Sequence, residues 1–345
     1  MASDTVKGPS RRRPGLVVIL TLVSLAALVF LLQLFASPEC NLLYELPLSG
    51  DGLPDSLNTQ AATQFQGVSF DNFNQENAEN TSSNVLLLSL LYPSDVAQFD
   101  DFVKLIRNLD YPKSRLSIAF LLVNPVPTTL HAIRQHIQHA HLGFPSRFYS
   151  KTFDHNLVAL GDEPIFELQP LWLSSKARAR NYLLQTALTK DYDYVLWLEP
   201  SLSEIPQSLV QDLIETNADI VAPNVMKRLD GADEWGFDRR NWQETELSKS
   251  LHGSVPEDFV FMEGWVELTT HHFLMIDMPT DTQVKVPLDG VGSTCLLVKA
   301  SIHREGINFP PYPFHHQIDS EGLAKAANAA GYEVAGLPGY KVYVR

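Results

Sequence analysis

The sequence predicts an α/β domain on a mostly parallel sheet, carried behind one N-terminal transmembrane helix. Two observations predict the domain. Short continuous apolar runs bounded by turn signals suit strands buried on both faces, and the segments between them repeat apolar residues at helical spacing. A third observation, an uncharged apolar stretch near the N-terminus, predicts the membrane span.

That stretch runs from Leu16 to Ala36 and is interrupted only by Thr21, Ser24 and Gln33. About 20 such residues cross a bilayer core as a helix. Arg11, Arg12 and Arg13 precede it, with Lys7 further out, whereas residues 37–84 hold no Lys or Arg. This bias makes residues 1–15 a cytoplasmic tail and puts the bulk of the chain in the lumen. A cleaved signal peptide is the rival reading. The run is longer than the roughly 7–15 residues of a signal h-region, and Pro38 disfavours cleavage after Ala36-Ser37, so an uncleaved anchor over 16–36 is expected.

Residues 37–84 carry seven acids, are rich in Asn, Gln, Ser and Gly, and show no sustained apolar period. Such a segment cannot bury enough surface to fold alone and is read as a flexible acidic lumenal stem. Asn80-Thr81-Ser82 is a glycosylation sequon near its end.

Residues 85–345 remain as the folded domain, long enough for a sizeable core. Val85 to Pro93 is a buried-strand run ended by proline. In the next segment Val96, Phe99, Val103, Ile106 and Leu109 recur at helical spacing. Leu116–Val123 reads as a second buried strand, and 128–141 as a helix. The alternation continues through a helix over 174–190, a strand over 194–198, a Pro206-initiated helix and a strand over 219–224. The stretch 226–256 is polar and loosely patterned. Order returns in 284–300, a helix over 318–331 and a closing strand pair over 332–344. Ligands of such sheets bind beyond the carboxyl ends of the strands, which directs attention to the residues after Leu91, Val123 and Leu198, Tyr92 and Pro93 among them.

The net charge of −14 excludes a nucleic-acid partner, which would require a basic face. Cys40 and Cys295 are the only cysteines, one beside the membrane and one in a strand-like run, and are not expected to pair with each other.

The segment ARARNYLLQTALTKDYDYVLWLEPSL, from Ala177 to Leu202, resembles the fungal mannan-polymerase α-mannosyltransferases, glycosyltransferase family 62. In that family an ARNYLL helix leads to a strand ending in Trp and an Asp-x-Asp motif. The resemblance continues in order through PNV (223–225), NWQET (241–245), MEGWVELTT (262–270), PLDGVGSTCLLVKA (287–300), GINFPPYPF (306–314) and SEGLAKAANAAGYEVAGLP (320–338). It implies a GT-A-like, Rossmann-like fold, a GDP-mannose donor and a divalent cation, usually manganese. It further implies α-mannosyl transfer with retention to a glycan acceptor in the Golgi, and related mannosyltransferase subunits as partners.

The chain departs from the family where the metal should sit. After Trp197 it reads Leu198-Glu199-Pro200-Ser201, and Val344 stands where the family places a metal-binding His. Three readings stay open here. Glu199 and Ser201 hold a metal weakly, with waters completing the shell; or Lys176, Arg178 or Arg180 faces the diphosphate instead; or the domain is a non-catalytic subunit.

Within the matched motifs, Arg178, Arg180 and Asn181 are candidate donor-binding residues, and arginine suits bidentate phosphate contacts. Lys176 and Arg180 share a helix face that Arg178 does not. Glu263 and Asp289 are the candidate catalytic carboxylates, although Asp289-Gly290 also reads as a turn. Trp242, in a polar context, is the tryptophan assigned to stacking on donor or sugar. The tandem pairs His271-His272 and His315-His316 are read as loop histidines, because adjacent side chains diverge and no third-ligand spacing accompanies them.

Overall fold

A computed structural model describes residues 41–46, 83–139, 143–154, 158, 165–229, 233–265, 267–280 and 285–345. The expected membrane span, most of the stem and Asn80 lie outside the described residues. Among those described, no helix is long and apolar enough to cross a membrane.

The strands are β1 (Asn41–Leu46), β2 (Val85–Leu91), β3 (Leu116–Val123), β4 (Ser146–Lys151), β5 (Tyr194–Leu198), β6 (Leu202–Glu204), β7 (Ile220–Arg228), β8 (Glu234–Gly236), β9 (Trp242–Gln243), β10 (Phe273–Leu274), β11 (Val286–Pro287), β12 (Cys295–Lys299) and β13 (Val334–Val344). Nine of them run in the order β1-β4-β3-β2-β5-β12-β7-β13-β11; β6 and β8 pair beside β13 and β7. The helices are α1 (Phe99–Arg107), α2 (Pro127–His139), α3 (Gln169–Ala187), α4 (Leu209–Glu215), α5 (Glu246–His252), α6 (Ala300–Arg304) and α7 (Asp319–Ala329).

The continuous apolar runs are explained by burial on both faces. Along β2, Val85, Leu87 and Leu91 pack with Phe99, Phe102 and Ile106 of α1 and with Phe120 and Phe148. Leu86 and Leu88 point the other way, against Ala177, Leu183 and Leu184 of α3 and Leu323 of α7. Period-two alternation thus serves two cores at once. In α1, Asp100 and Asp101 occupy the first turn and Lys104 and Arg107 the last, complementing the helix dipole.

Four sequence expectations need correction. The sheet is mixed: β4-β3-β2-β5 and the β7–β13 pair are parallel, but β12 runs antiparallel between β5 and β7. The long connection from β7 to β12 permits that reversal, which no local pattern encodes. Asn41–Leu46, expected in the stem, forms an edge strand antiparallel to β4. The loosely patterned stretch holds β8, β9 and α5, the last opened by a Thr245–Ser248 capping box. The closing strand pair is one strand, β13, whose register against β7 shifts between Leu337 and Lys341.

Candidate functional site

The carboxyl ends of β2 and β5 open into a cavity of about 630 Å3, a volume typical of a small-molecule site. Its floor follows from strand direction. Because β12 is antiparallel to β5, Cys295 lies opposite Leu198, and the Glu199 amide donates to the Thr294 carbonyl at 3.0 Å. Ser293 therefore meets Glu199 at the cavity's base, where its hydroxyl donates at 3.2 Å. From the facing helix, Lys176 and Arg180 reach the same carboxylate oxygen, Glu199 Oε1, at 3.0 and 2.9 Å.

Arg180 is almost wholly enclosed. Its second nitrogen pairs with Asp319, at the start of α7, which is equally buried. Burial favours a protonated Glu199, but the Lys176 and Arg180 charges outweigh it and hold the carboxyl well below the usual range. Burial lowers the Lys176 ammonium, partly offset by Glu199.

Tyr92 and Pro93 form the opposite wall. Proline opens a 3-10 turn directly after β2, and the Tyr92 amide donates to Asp95 at 2.8 Å. The Tyr92 ring leans on Trp172 with centroids 5.0 Å apart. Its buried hydroxyl has no hydrogen-bond partner among the described residues, and burial raises its pKa. Ser201 closes the rim with a hydroxyl that is likewise unpartnered.

A second cleft of about 380 Å3 is lined by Trp235, Phe237, Arg239, Arg240, Glu263 and Glu321 among others. Trp235 and Phe237 expose half and two-fifths of their surface there. Arg240 pairs with Asp238 at 3.1 Å; despite burial, the charges of Asp238, Glu199 and Glu321 raise its pKa. The field of Arg240 therefore links the two hollows. Glu321 is buried, accepts the Trp242 indole N–H at 2.8 Å, and is pushed up to about 8 by burial.

That shift carries a sign. A carboxyl raised in the fold holds its proton while the unfolded chain releases it near the ordinary glutamate value of 4.5. Stability therefore falls as pH rises from there to the folded value, and is constant above it. Glu321→Gln keeps the acceptor for Trp242 and removes the ionisation. Its thermal midpoint should exceed the wild type by a margin that grows across that window; a margin independent of pH would refute the assignment.

The remaining sequence candidates are placed as follows. Glu199, Ser201, Tyr92, Pro93 and Arg180 meet at the first cavity. Arg178, on another face of α3, reaches only Ser175 among the described residues, at 3.5 Å, and does not line it. Asn181, expected at the donor, instead clamps the backbone of Phe309 from both sides of its amide. Trp242, expected to stack on a ligand, is fully buried and stacks on His272 with centroids 3.6 Å apart. Glu263 lines the second cleft and contacts His272. The Asp289 carboxylate accepts the Glu244 amide at 2.8 Å, so it fastens a turn. Val344 is buried in β13 beside Leu202. Sequence reasoning missed Ser293, Asp319, Glu321 and Arg240. The only signals were an Asp-Ser-Glu opening a helix and a Ser-Thr pair preceding a buried strand.

Comparisons with known proteins bear on this arrangement. The family model described as Anp1 matches residues 65–313. The mannan polymerase complex subunit mnn9 of Schizosaccharomyces pombe is 30% identical over 309 residues, covering 84% of this chain and 90% of that protein. The mannan polymerase complex subunit MNN9 of Candida albicans is 39% identical over 190 residues, 53% of this chain and 52% of the other. The chain thus spans about half the length of the latter relative and nine-tenths of the former. Among solved structures, a mannosyltransferase from Pyrobaculum calidifontis in complex with GDP-Man and Mn2+ overlaps 76% of this chain and 56% of its own, at a TM-score of 0.43 and 12% identity. An overlap that loose carries no argument.

Proposed function

The chain belongs to the Anp1 family, and from that membership we propose that it is a GT-A-like glycosyltransferase with GDP-mannose as donor. We read it as a retaining α-mannosyltransferase acting on glycans in the Golgi, anchored as a single-pass type II protein through residues 16–36. Its relatives are named as subunits of mannan polymerase complexes, which supports related subunits as its partners.

The observation that carries the reading is the convergence of Lys176 and Arg180 on the cavity beyond β2 and β5. A departing nucleoside diphosphate concentrates negative charge, and fixed donors in a site shielded from water stabilise it most. Lys176 keeps 13% of its side chain exposed and can turn its ammonium to a phosphate while Arg180 remains on Glu199. Tyr92 offers an unpartnered hydroxyl on the facing wall. The sugar would lie toward the second cleft, where exposed Trp235 and Phe237 suit the apolar faces of a glycan acceptor. Glu321, held largely protonated near neutral pH, can exchange a proton there.

The family's divalent cation finds a poor set of ligands among these residues. The only retained carboxylate of its motif, Glu199, accepts two cations and a hydroxyl on Oε1, so a metal would find a single oxygen, Oε2, with no second carboxylate to complete the pair. The second motif position offers only the Ser201 hydroxyl, and Asp95 is engaged with the Tyr92 amide. A dication at Glu199 would sit beside two fixed positive charges. The residues do not fit the metal.

The same pairing favours a second reading, in which this chain binds donor or acceptor for a catalytic partner without transferring sugar itself. The discriminating experiment offers the full-length protein labelled GDP-mannose and a mannose-terminated oligosaccharide, with and without a related subunit. Transfer by this chain alone supports the first reading; donor binding with transfer only when a partner is present supports the second. Absence of both nucleotide and oligosaccharide binding overturns both.

A further inference from the structure

Glu244 and His252, at the two ends of the α5 segment, meet His272, before β10, beside the second cleft. Strands β9 and β10 form an antiparallel pair with Gln243 opposite Phe273, which places position 244 across from 272. The capping box at Thr245 then starts α5 and sets His252 as its final residue. His271 takes a left-handed conformation and is exposed, so the tandem pair diverges and only His272 turns inward.

One side-chain ligand atom from each of Glu244, His252 and His272 lies within 4.8 Å of the others. His252 Nε2 is 3.4 Å from Glu244 Oε1, and His272 Nε2 is 3.5 Å from Glu244 Oε2. These separations are too long for charge-assisted hydrogen bonds, which run at about 2.7–2.9 Å. The His272 separation from Oε2 is close to the edge of a tetrahedron around an ion bonded at about 2.0–2.1 Å, roughly 3.3–3.4 Å; a small turn of the His252 ring or of the carboxylate would bring the third atom to the same spacing. His252 Nε2 is buried and makes no hydrogen bond among the described residues.

The surroundings prepare the ligands. His272 Nδ1 lies 2.5 Å from Glu263 Oε1, leaving Nε2 as the atom that faces Glu244. A carboxylate behind a ligating imidazole is the usual outer partner of a metal-bound histidine. Trp242 stacked on the ring fixes its plane. Lys325 Nζ occupies Glu244 Oε1 at 2.6 Å and the Ser248 hydroxyl donates to Oε2, whose second lone pair is left for one-point ligation. With both imidazoles neutral, two carboxylates, Glu244 and Glu263, face one ammonium, Lys325, so the cluster lacks one positive charge. A cation bound there meets this net negative charge.

We propose that Glu244, His252 and His272 bind one zinc-type divalent cation, tying the end of α5 to the β9–β10 pair independently of the donor cavity. Two imidazoles and one carboxylate form a set that suits zinc, with a fourth position for water on the partly exposed His252 side.

The test uses the full-length protein in mild detergent, stripped with chelator, re-equilibrated with Zn2+ and freed of excess. The expected result is one zinc retained per chain and a raised thermal midpoint. His252→Ala, at a helix end, should abolish retention, and Glu263→Gln should weaken it by about 10–100-fold. X-ray absorption of the wild-type zinc form should show two imidazoles at about 2.0–2.1 Å, which keeps the test valid if a variant fails to fold. No zinc retained, equal retention by His252→Ala, or an all-oxygen shell would overturn the site and leave His272 as an imidazolium between two glutamates.

Discussion

Lys176→Met is expected to cost GDP-mannose about 10- to 100-fold in affinity, the loss of one charge-assisted contact of about 1.5–3 kcal/mol. Lys176 is the partly exposed cation at the cavity, and Glu199 keeps Arg180 as a partner after the change, so the pocket should retain its shape. Arg178→Met is the control: its guanidinium lies outside the cavity, and its affinity should stay within a factor of about two. Calorimetric titration of both variants checks the contrast. Equal losses would mean that the wrong helix face has been assigned to the diphosphate.

Arg180→Met should produce the largest loss of stability, about 3–5 kcal/mol, because it strands the buried Asp319 carboxylate and strips Glu199 of one of its two cations. For a domain of this size that is a fall in thermal midpoint on the order of 10 °C. The mechanism predicts a rescue: Arg180→Met combined with Asp319→Asn removes the stranded charge and should recover a substantial part of the loss. If the double variant is as unstable as the sum of the singles, the penalty arises from lost packing and the ion-pair account fails.

Both predictions depend on residues of unequal legibility. Val85–Leu91 and Leu116–Val123 could be read directly, because a strand covered on both faces must be apolar throughout, and the structure shows which alternate residues serve each core. Lys176 and Arg180 were legible as a pair from helical spacing alone. The direction of β12 was not, since an antiparallel strand and a parallel one have the same local pattern; with it went Ser293, whose role depends on that direction. Asp319 and Glu321 sit at a helix start, where acids are ordinary, and only tertiary partners, Arg180 and Trp242, bury them. Trp242 misled for the converse reason. Its polar neighbours in sequence suggested exposure, but Asn241 and Glu244 make their bonds inward, and the ring between them is enclosed.

On the proposed function, the cavity beyond β2 and β5 receives a nucleotide diphosphate through protein cations and not through a metal at Glu199. Titration of GDP-mannose into the full-length protein in excess chelator, repeated with manganese, tests it most directly. Saturable one-to-one binding of the same affinity is expected in both buffers, weakened by Lys176→Met. Binding seen only with manganese, and lost in Glu199→Gln, would contradict it.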